Sequence, residues 1–373
     1  MSNNSSPAAR DAGPNSWLVD EMYEQFQRDP SSVSDSWRDF FHGYTPGPAS
    51  AAGARVAVTT TPAAPSAPAA PSAPSAAAST EPPGTPLRGA AARIVTNMEA
   101  SLEVPTATSF REVPTKLLEV NRKSINGYLS RSRRGKVSFT HIIGYAIVRA
   151  VTDAVPVMNS TFVTDAEGKP YVVRNEHVGL GLAVDVEKGD GSRSLLVPCI
   201  KGAESLDFAG FFDAYEELVR KVRNNKLSPD DFSGVTISLT NPGTLGTLQS
   251  VPRLMPGQGV IVGVGSLDYP TAFRGADPAA IASLGLSKVM TITSTYDHRI
   301  IQGAESGLFL KRVQELLMGE HGFYEDIFHS LHLPYEPVDW ARDVNPIDNA
   351  DVVLEKNLQV RALINMYLSL IHI

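Results

Sequence analysis

An α/β domain with a mixed sheet is the fold class predicted by this sequence, on three observations. Apolar, β-branched segments alternate with segments of 3.6-residue apolar periodicity, the pattern of layered α/β proteins. The later strand candidates follow one another without helices between them, which argues against a doubly wound parallel sheet. Hydrophobic residues are 42% and charged residues 20% of the 373, enough apolar surface for a real core.

Residues 1–44 predict two short amphipathic helices. Leu18, Met22 and Phe26 share one helical face, Asp29-Pro30 breaks the helix, and Val33, Trp37, Phe40 and Phe41 mark a second stripe. So short a piece cannot form a core alone, so these faces must dock on something, either the main domain or a partner. Residues 45–87 are dominated by Ala, Pro, Ser and Thr with almost no charge, a composition that cannot offset its ordering entropy and that proline holds extended. This long tether favours a partner-binding arm.

Beyond the tether, 94–102 and 117–129 read as helices and 137–154 as a buried helix. The apolar runs at 177–186 and 194–200 read as two strands joined by the turn EKGDGS. A helix from Ser205 carries Phe208, Phe211, Phe212, Tyr215, Leu218, Val219 and Val222 at helical spacing. Ser228-Pro229-Asp230-Asp231 supplies an N-cap, a proline at N1 and an acid at N3 for a short helix. Strands are expected at 235–240, 259–265 and 288–296, and a last helix at 304–318 with Phe309, Val313, Leu316 and Leu317 inward. After Met318 the chain reads as irregular, rich in aromatics and prolines. LEKNLQVRALINMYLS then reads as a helix in which the chain stops without a cap. This ending predicts a fragment of a longer polypeptide, with the final LSLIHI in doubt as native sequence.

Composition narrows the function. A net charge of −7 argues against a nucleic-acid surface. No apolar run approaches the ~18 residues of a membrane helix, and the N-terminus lacks the apolar stretch of a secretory signal, so a cytoplasmic protein is expected. The single cysteine, Cys199, excludes an internal disulfide and reads as a small buried hydrophobe.

Two segments carry residues suited to chemistry. In 291–310 a strand runs into Asp297-His298-Arg299, then Gln302-Gly303 and a helix. A histidine at a strand end beside a turn stands where loops carry function, although a lone histidine is more often a surface or core residue. In 238–247, Ser238, Thr240, Asn241 and Gly243 follow a strand and offer hydroxyls and a tight turn; a purely structural turn is the plainer reading. The GVG at 263–265 fails as a dinucleotide fingerprint because Asp268 replaces its third glycine. His321, His329 and His332 read as a polar surface turn rather than a metal site. Arg131, Arg133, Arg134 and Lys136 read as a solvated loop or, functionally, as a phosphate contact.

Taken together, these residues resemble the catalytic domain of the 2-oxo acid dehydrogenase acyltransferases, the E2 components. Their D-H-R-x-x-D-G signature is matched by Asp297-His298-Arg299-Ile300-Ile301-Gln302-Gly303, and further blocks match in order: GLGLAVDV, LLVPCIKGAESLDF, LSPDDFSGVTISLTNPGTLGT and GVIVGVG. The resemblance spans roughly 88–318 and implies a two-layer, chloramphenicol-acetyltransferase-like domain with a mixed sheet. The segment SWLVDEMYEQFQRDPSSVSDSWRDFF resembles the N-terminus of the 2-oxoglutarate dehydrogenase E1 component. Residues from about Asp339 resemble the start of its thiamine-diphosphate region. This order, with 1–44 as docking helices, 45–87 as linker and 319–373 as connector and E1 start, is similar to that of the multifunctional 2-oxoglutarate decarboxylase/dehydrogenases of actinobacteria. There E1 and an E2-like domain are fused.

The resemblance implies succinyl transfer between dihydrolipoyl-lysine and coenzyme A. His298 would be the general base on the coenzyme A thiol, a feasible step because imidazole titrates near ~6.5 and a thiol near ~8.5. Thr240 would stabilise the oxyanion, with Ser238 the alternative two residues earlier. Gln302, amide where the signature has an acid, implies a weaker base, since it can orient but not neutralise an imidazolium. Asp297 and Arg299 would hold the loop as paired charges, and Ser238, Asn241 and Gly243 would lie against substrate. No metal is implied in this domain; thiamine diphosphate and Mg²⁺ would belong to the E1 part. Residues 1–44 contain no lysine, so a lipoyl group supplied in trans by an E2 subunit is expected. Dihydrolipoamide dehydrogenase and further copies of the chain, in trimeric contacts with the site between them, are the other expected partners. A different class stays open: a catalytically weak assembly module that senses acetyl-CoA. An antibiotic O-acetyltransferase of the same fold leaves the E1-like flanks without a role.

Overall fold

The frame of the protein, seen in a computed structural model that describes residues 16–42, 44, 90–187 and 193–339, is a six-stranded mixed sheet. Its order is β1 (Thr106–Pro114), β10 (Val289–Asp297), β9 (Val260–Val264), β8 (Ile237–Thr240), β4 (Leu180–Leu182) and β7 (Cys199–Ile200). β9–β8 and β8–β4 are parallel and the other pairs antiparallel. Two hairpins stand off this sheet: β2 (Ser160–Thr164) with β3 (Pro170–Arg174), and β5 (Val184–Glu187) with β6 (Arg193–Leu196).

Helices complete the second layer. α5 (Phe139–Asp153) is buried along nearly its whole length, from His141 to Val151, as its unbroken apolar sequence requires. It packs against α6 (Phe208–Arg223) and α8 (Gly303–Leu317), and α8 in turn lies on β1 and β10. α6 buries Phe208, Phe211, Phe212, Leu218 and Val222, the stripe read from its spacing. α3 (Ala90–Leu102) and α4 (Lys116–Ser132) flank β1 in sequence, and α7 (Pro278–Ser283) precedes β10. Ser228 and Asp231 form the expected capping box, here opening a single 3-10 turn, Pro229–Phe232.

Within residues 90–339 the structure departs from the sequence-based expectations in five places. The run 177–186 is two strands, not one. At Leu182 the chain donates to Pro198 O (2.8 Å), and Ala183 donates to Leu239 O (2.9 Å). It then leaves the main sheet as β5. The run 194–200 breaks at Val197-Pro198, where proline has no N–H for a ladder. The α6 cap is Asp207, whose carboxylate accepts from Gly210 N at 2.8 Å, and not Ser205, which closes a 3-10 turn. β1 and the β2–β3 hairpin were not foreseen: β1 has few buried side chains and β3 none, so neither shows apolar alternation. The segment after Met318 is not wholly irregular, because α9 (Phe323–Ser330) buries Phe323, Tyr324, Ile327 and Phe328 in the common core.

The N-terminal helices α1 (Ser16–Arg28) and α2 (Asp35–His42) also join that core. Trp37 Nε1 donates to Leu227 O at 3.0 Å, and Val19, Val33, Trp37 and Phe41 are buried. The arm therefore docks on its own domain here, the alternative that the long tether had disfavoured; Met22 and Phe26 pack as expected. The Ala/Pro tether, the turn at 188–192 and the helix read at 354–369 fall outside the described residues. No described helix is long and apolar enough to cross a membrane.

Candidate active site

β10 determines where His298 stands. Every residue from Ile292 to Asp297 is buried, with β1 on one side and β9 on the other, so the strand leaves no freedom in its last residues. Asp297 N donates to Gly259 O at 3.1 Å and His298 N to Pro105 O at 2.9 Å. Ile300 N and Ile301 N then return to Asp297 O at 3.2 and 3.0 Å, and fully buried Ile301 anchors the turn.

Asp297 is buried and held in a fork. Arg299 Nε and Nη2 approach its two oxygens at 2.9 and 2.6 Å, and Arg299 N donates to Oδ1 at 3.0 Å. The guanidinium lies 3.7 Å above the Phe162 ring. Both charges are thus turned on one another and hold the loop closed, the arrangement anticipated for this pair.

His298 is exposed at the tip of that loop. Its Nδ1 lies 3.1 Å from Ile301 O. A carbonyl oxygen only accepts, so Nδ1 carries the proton and Nε2 keeps its lone pair. The ring also rests on Tyr296, 5.5 Å between centroids. Gln302 caps α8: Glu305 Oε2 accepts its N–H at 2.7 Å, and the residue itself is exposed.

The second set of site residues gathers at the end of β8. Thr240 is half-buried and lines two cavities, one of about 820 Å³ and one of about 370 Å³. The larger is the more polar of the two, with Lys136, His141, Arg223, Asp185, Glu216 and Asn241 standing among apolar walls. The smaller is mostly apolar, walled by Ile94, Met98, Val197, Met255 and Ile261. Ser238 also reaches the smaller cavity, but its Oγ bonds buried Gln258 Oε1 at 3.0 Å. Asn241 Nδ2 donates to Thr140 Oγ1 at 2.9 Å. Gly243 has a packing reason: a Cβ there would stand 2.3 Å from the Gly265 backbone. Gly263 and Gly265 serve the same end, letting the 248–252 segment lie directly on β9, which accounts for the GVG run. The whole basic run is exposed, and Lys136 is the member of it that lines a cavity.

His298 and Thr240 are not brought together within one chain. Thr240 is in register with Gly263 of β9, and Gly263 with Thr293 of β10. His298 lies five residues beyond Thr293 and two strands over, a separation of about 19 Å at ordinary strand spacings.

Sequence reading missed His141. It is 1% exposed and closes a capping box, Nδ1 accepting from Ser138 N at 3.0 Å. Burial, helped by the Arg122 charge, pushes its imidazole down to about 4. Glu216 Oε1 lies 3.2 Å from Nε2 but out of line for a hydrogen bond, and as a half-exposed group it is screened by water. The Ser-x-x-His spacing before an apolar helix was the available signal. Cys199 is buried as expected, its thiol pushed up to about 12 by desolvation.

The mixed-sheet α/β domain thus carries an exposed histidine at one sheet end and a hydroxyl at the other. The sequence profile described as 2-oxoacid dehydrogenases acyltransferase (catalytic domain) matches residues 80–321, and that of the 2-oxoglutarate dehydrogenase N-terminus matches 12–48. This chain belongs to the 2-oxoacid dehydrogenase acyltransferase family. Curated relatives named multifunctional 2-oxoglutarate metabolism enzyme include those of Mycolicibacterium vanbaalenii, 49% identical over 396 residues, and Mycobacterium sp. strain JLS, 45% over 415. Both alignments take in 95% of this chain but 31% and 32% of the relative, so the chain spans about a third of their length. Among solved structures, a probable dihydrolipoamide acetyltransferase from Listeria monocytogenes aligns with a TM-score of 0.53 at 21% identity, covering 70% of this chain and 100% of that one. The cubic core of a pyruvate dehydrogenase multienzyme complex aligns at 0.52 and 24%, covering 66% and 96%. An Azotobacter vinelandii dihydrolipoamide acetyltransferase, studied for the catalytic part of a serine, a histidine and an asparagine, aligns at 0.53 and 23%, covering 68% and 99%. These likenesses bear out the fold, and the family and relatives bear out the resemblance read from the signature and its flanks.

Proposed function

We propose that the domain transfers a succinyl group between dihydrolipoyl-lysine and coenzyme A, as part of an enzyme of 2-oxoglutarate metabolism. The observation that carries the reading is His298, with Nδ1 pinned to Ile301 O and Nε2 open at the end of a rigid strand. Nε2 takes the proton of the coenzyme A thiol, and the thiolate attacks the thioester carbonyl of the succinyl-dihydrolipoyl group. The tetrahedral oxyanion receives a hydrogen bond from Thr240 Oγ1. On collapse the lipoyl sulfur leaves, and the imidazolium returns its proton to that sulfur. Gln302 orients the loop start beside His298; the histidine and asparagine studied in the Azotobacter vinelandii enzyme stand four residues apart, as His298 and Gln302 do.

Because Thr240 stands about 19 Å from His298 in its own chain, the hydroxyl in this reading comes from a neighbouring copy, and the active unit is a trimer. The polar cavity with Lys136 suits the phosphates of coenzyme A, and the apolar one the acyl and lipoyl chains. The lipoyl group arrives in trans on an E2 subunit, and dihydrolipoamide dehydrogenase reoxidises it. The setting is cytoplasmic. Thiamine diphosphate and Mg²⁺ serve the E1 portion of such proteins; the segment resembling E1, 340–373, lies outside the described residues, and no step here uses either group.

The test is succinyl transfer from succinyl-CoA to dihydrolipoamide. His298→Ala should lower kcat about 10³-fold, and Thr240→Val about 10²-fold, with melting temperatures unchanged. Equal background rates in wild type and His298→Ala would refute transfer, and acetyl-CoA binding without turnover would put the assembly-and-sensing module in its place.

A further inference from the structure

The smaller cavity beside Thr240 has at its rim a solvent-exposed cation, Arg253, that the transfer chemistry does not use. Its walls are apolar apart from Asn97, Ser238, Thr240, Gln258 and Arg253. Ser238 and Gln258 are bonded to each other. Among the described residues, Arg253 is the sole charged residue of the lining and takes part in no ion pair or hydrogen bond. Two other arginines are used internally: Arg299 closes on Asp297 and Arg274 on Asp268.

Arg253 is also firmly carried. Pro252 precedes it and Leu254, fully buried, follows it. Ser250 O accepts from Thr293 Oγ1 of β10 at 2.9 Å. Gly265, where a Cβ would stand 1.9 Å from Leu248 O, lets the segment press onto β9. A guanidinium on an anchored segment, at the wall of an apolar pocket and without a carboxylate of its own, is a receptor for an anion. The pocket also holds the Thr240 hydroxyl, so the anion it receives belongs to whatever reacts there.

We infer that Arg253 selects the acyl group: its guanidinium takes the terminal carboxylate of a dicarboxylic acyl chain whose thioester carbonyl lies at Thr240. The inference rests on the proposed transfer reaction and adds its specificity residue. A neutral acyl group of two carbons has nothing to offer Arg253 and leaves it to solvent at the rim of the pocket. A four-carbon acyl group ending in a carboxylate pairs with it.

The test compares the whole chain with Arg253→Leu and Arg253→Lys, measuring kcat/KM for succinyl-CoA and acetyl-CoA with dihydrolipoamide. Arg253→Leu should reduce the succinyl-over-acetyl preference by about 30-fold, and Arg253→Lys should restore most of it. An unchanged preference in a wild type that does transfer acyl groups would overturn this inference alone. A wild type without transfer from either donor would overturn the proposed function and this inference with it. Equal loss of both substrates, with a smaller sedimenting species, would make Arg253 a contact between copies and also overturn it.

Discussion

His298 and His141 are both histidines beside a helix start, and the structure sets them to opposite work. At His298 a backbone carbonyl accepts from Nδ1, so the lone pair is on Nε2 and faces solvent. At His141 a backbone N–H donates to Nδ1, so the lone pair is consumed as a cap and Nε2 bears the proton. His298 is exposed on a loop held by an ion pair, whereas His141 is buried between Phe212 and Tyr215. One ring presents a free lone pair to solvent; the other, desolvated by burial, is kept neutral by the fold. The difference shows that a histidine's chemistry is decided by the polarity of a single neighbour at Nδ1, together with the water around Nε2.

Acid should reveal His141 most strongly. Its folded pKa is about 4, against about 6.5 for an unfolded histidine. Between those values the unfolded chain binds a proton that the folded chain does not. Its contribution to stability is therefore complete above pH 6.5 and lost as pH falls towards 4, by up to about 3 kcal/mol. Urea midpoints of wild type should fall more steeply over this range than those of His141→Gln. Parallel curves would mean that His141 protonates in place, and the contrast with His298 would collapse.

A smaller effect is expected from the cap. Ser138→Ala removes the acceptor of His141 N and should lower stability by about 1 kcal/mol, read from thermal unfolding, while transfer stays at the wild-type rate. If transfer fell in proportion, the polar cavity lined by Ser138 and His141 would be coupled to the reacting end. Gln302→Ala should have the least effect, slowing transfer about threefold with an unchanged melting temperature, since one neutral hydrogen bond at a solvent-facing helix cap is worth little. A loss beyond a hundredfold would rank the amide with His298.

Much of this was legible in the chain because it is local. The stripe from Phe208 to Val222 specifies α6, and the β-branched run 288–296 becomes β10. The Asp297-His298-Arg299 order was enough to expect a loop held by its own charges. β1 was not legible, since an edge strand half-exposed on both faces has no alternation to read, and α9 was hidden by neighbouring prolines and histidines. Arg253 and His141 were passed over because nothing in their flanks says which cavity or partner they face. Ser238, Asn241 and Gly243 were marked for substrate, yet the structure gives each an internal neighbour: Gln258, Thr140 and the Gly265 backbone.

The sequence by itself therefore determined the α/β class, the family signature and the position of its histidine at the end of a strand, because periodicity, capping and motif order are properties of adjacent residues. Only the tertiary structure decided that α1 and α2 fold back onto the domain and that the runs at 177–186 and 194–200 each divide in two. It alone placed Thr240 and His298 at opposite ends of the sheet. These outcomes depend on strand register and on packing between segments far apart in the chain, where a hydrogen bond from Ala183 to Leu239 or from Trp37 to Leu227 outweighs any local preference.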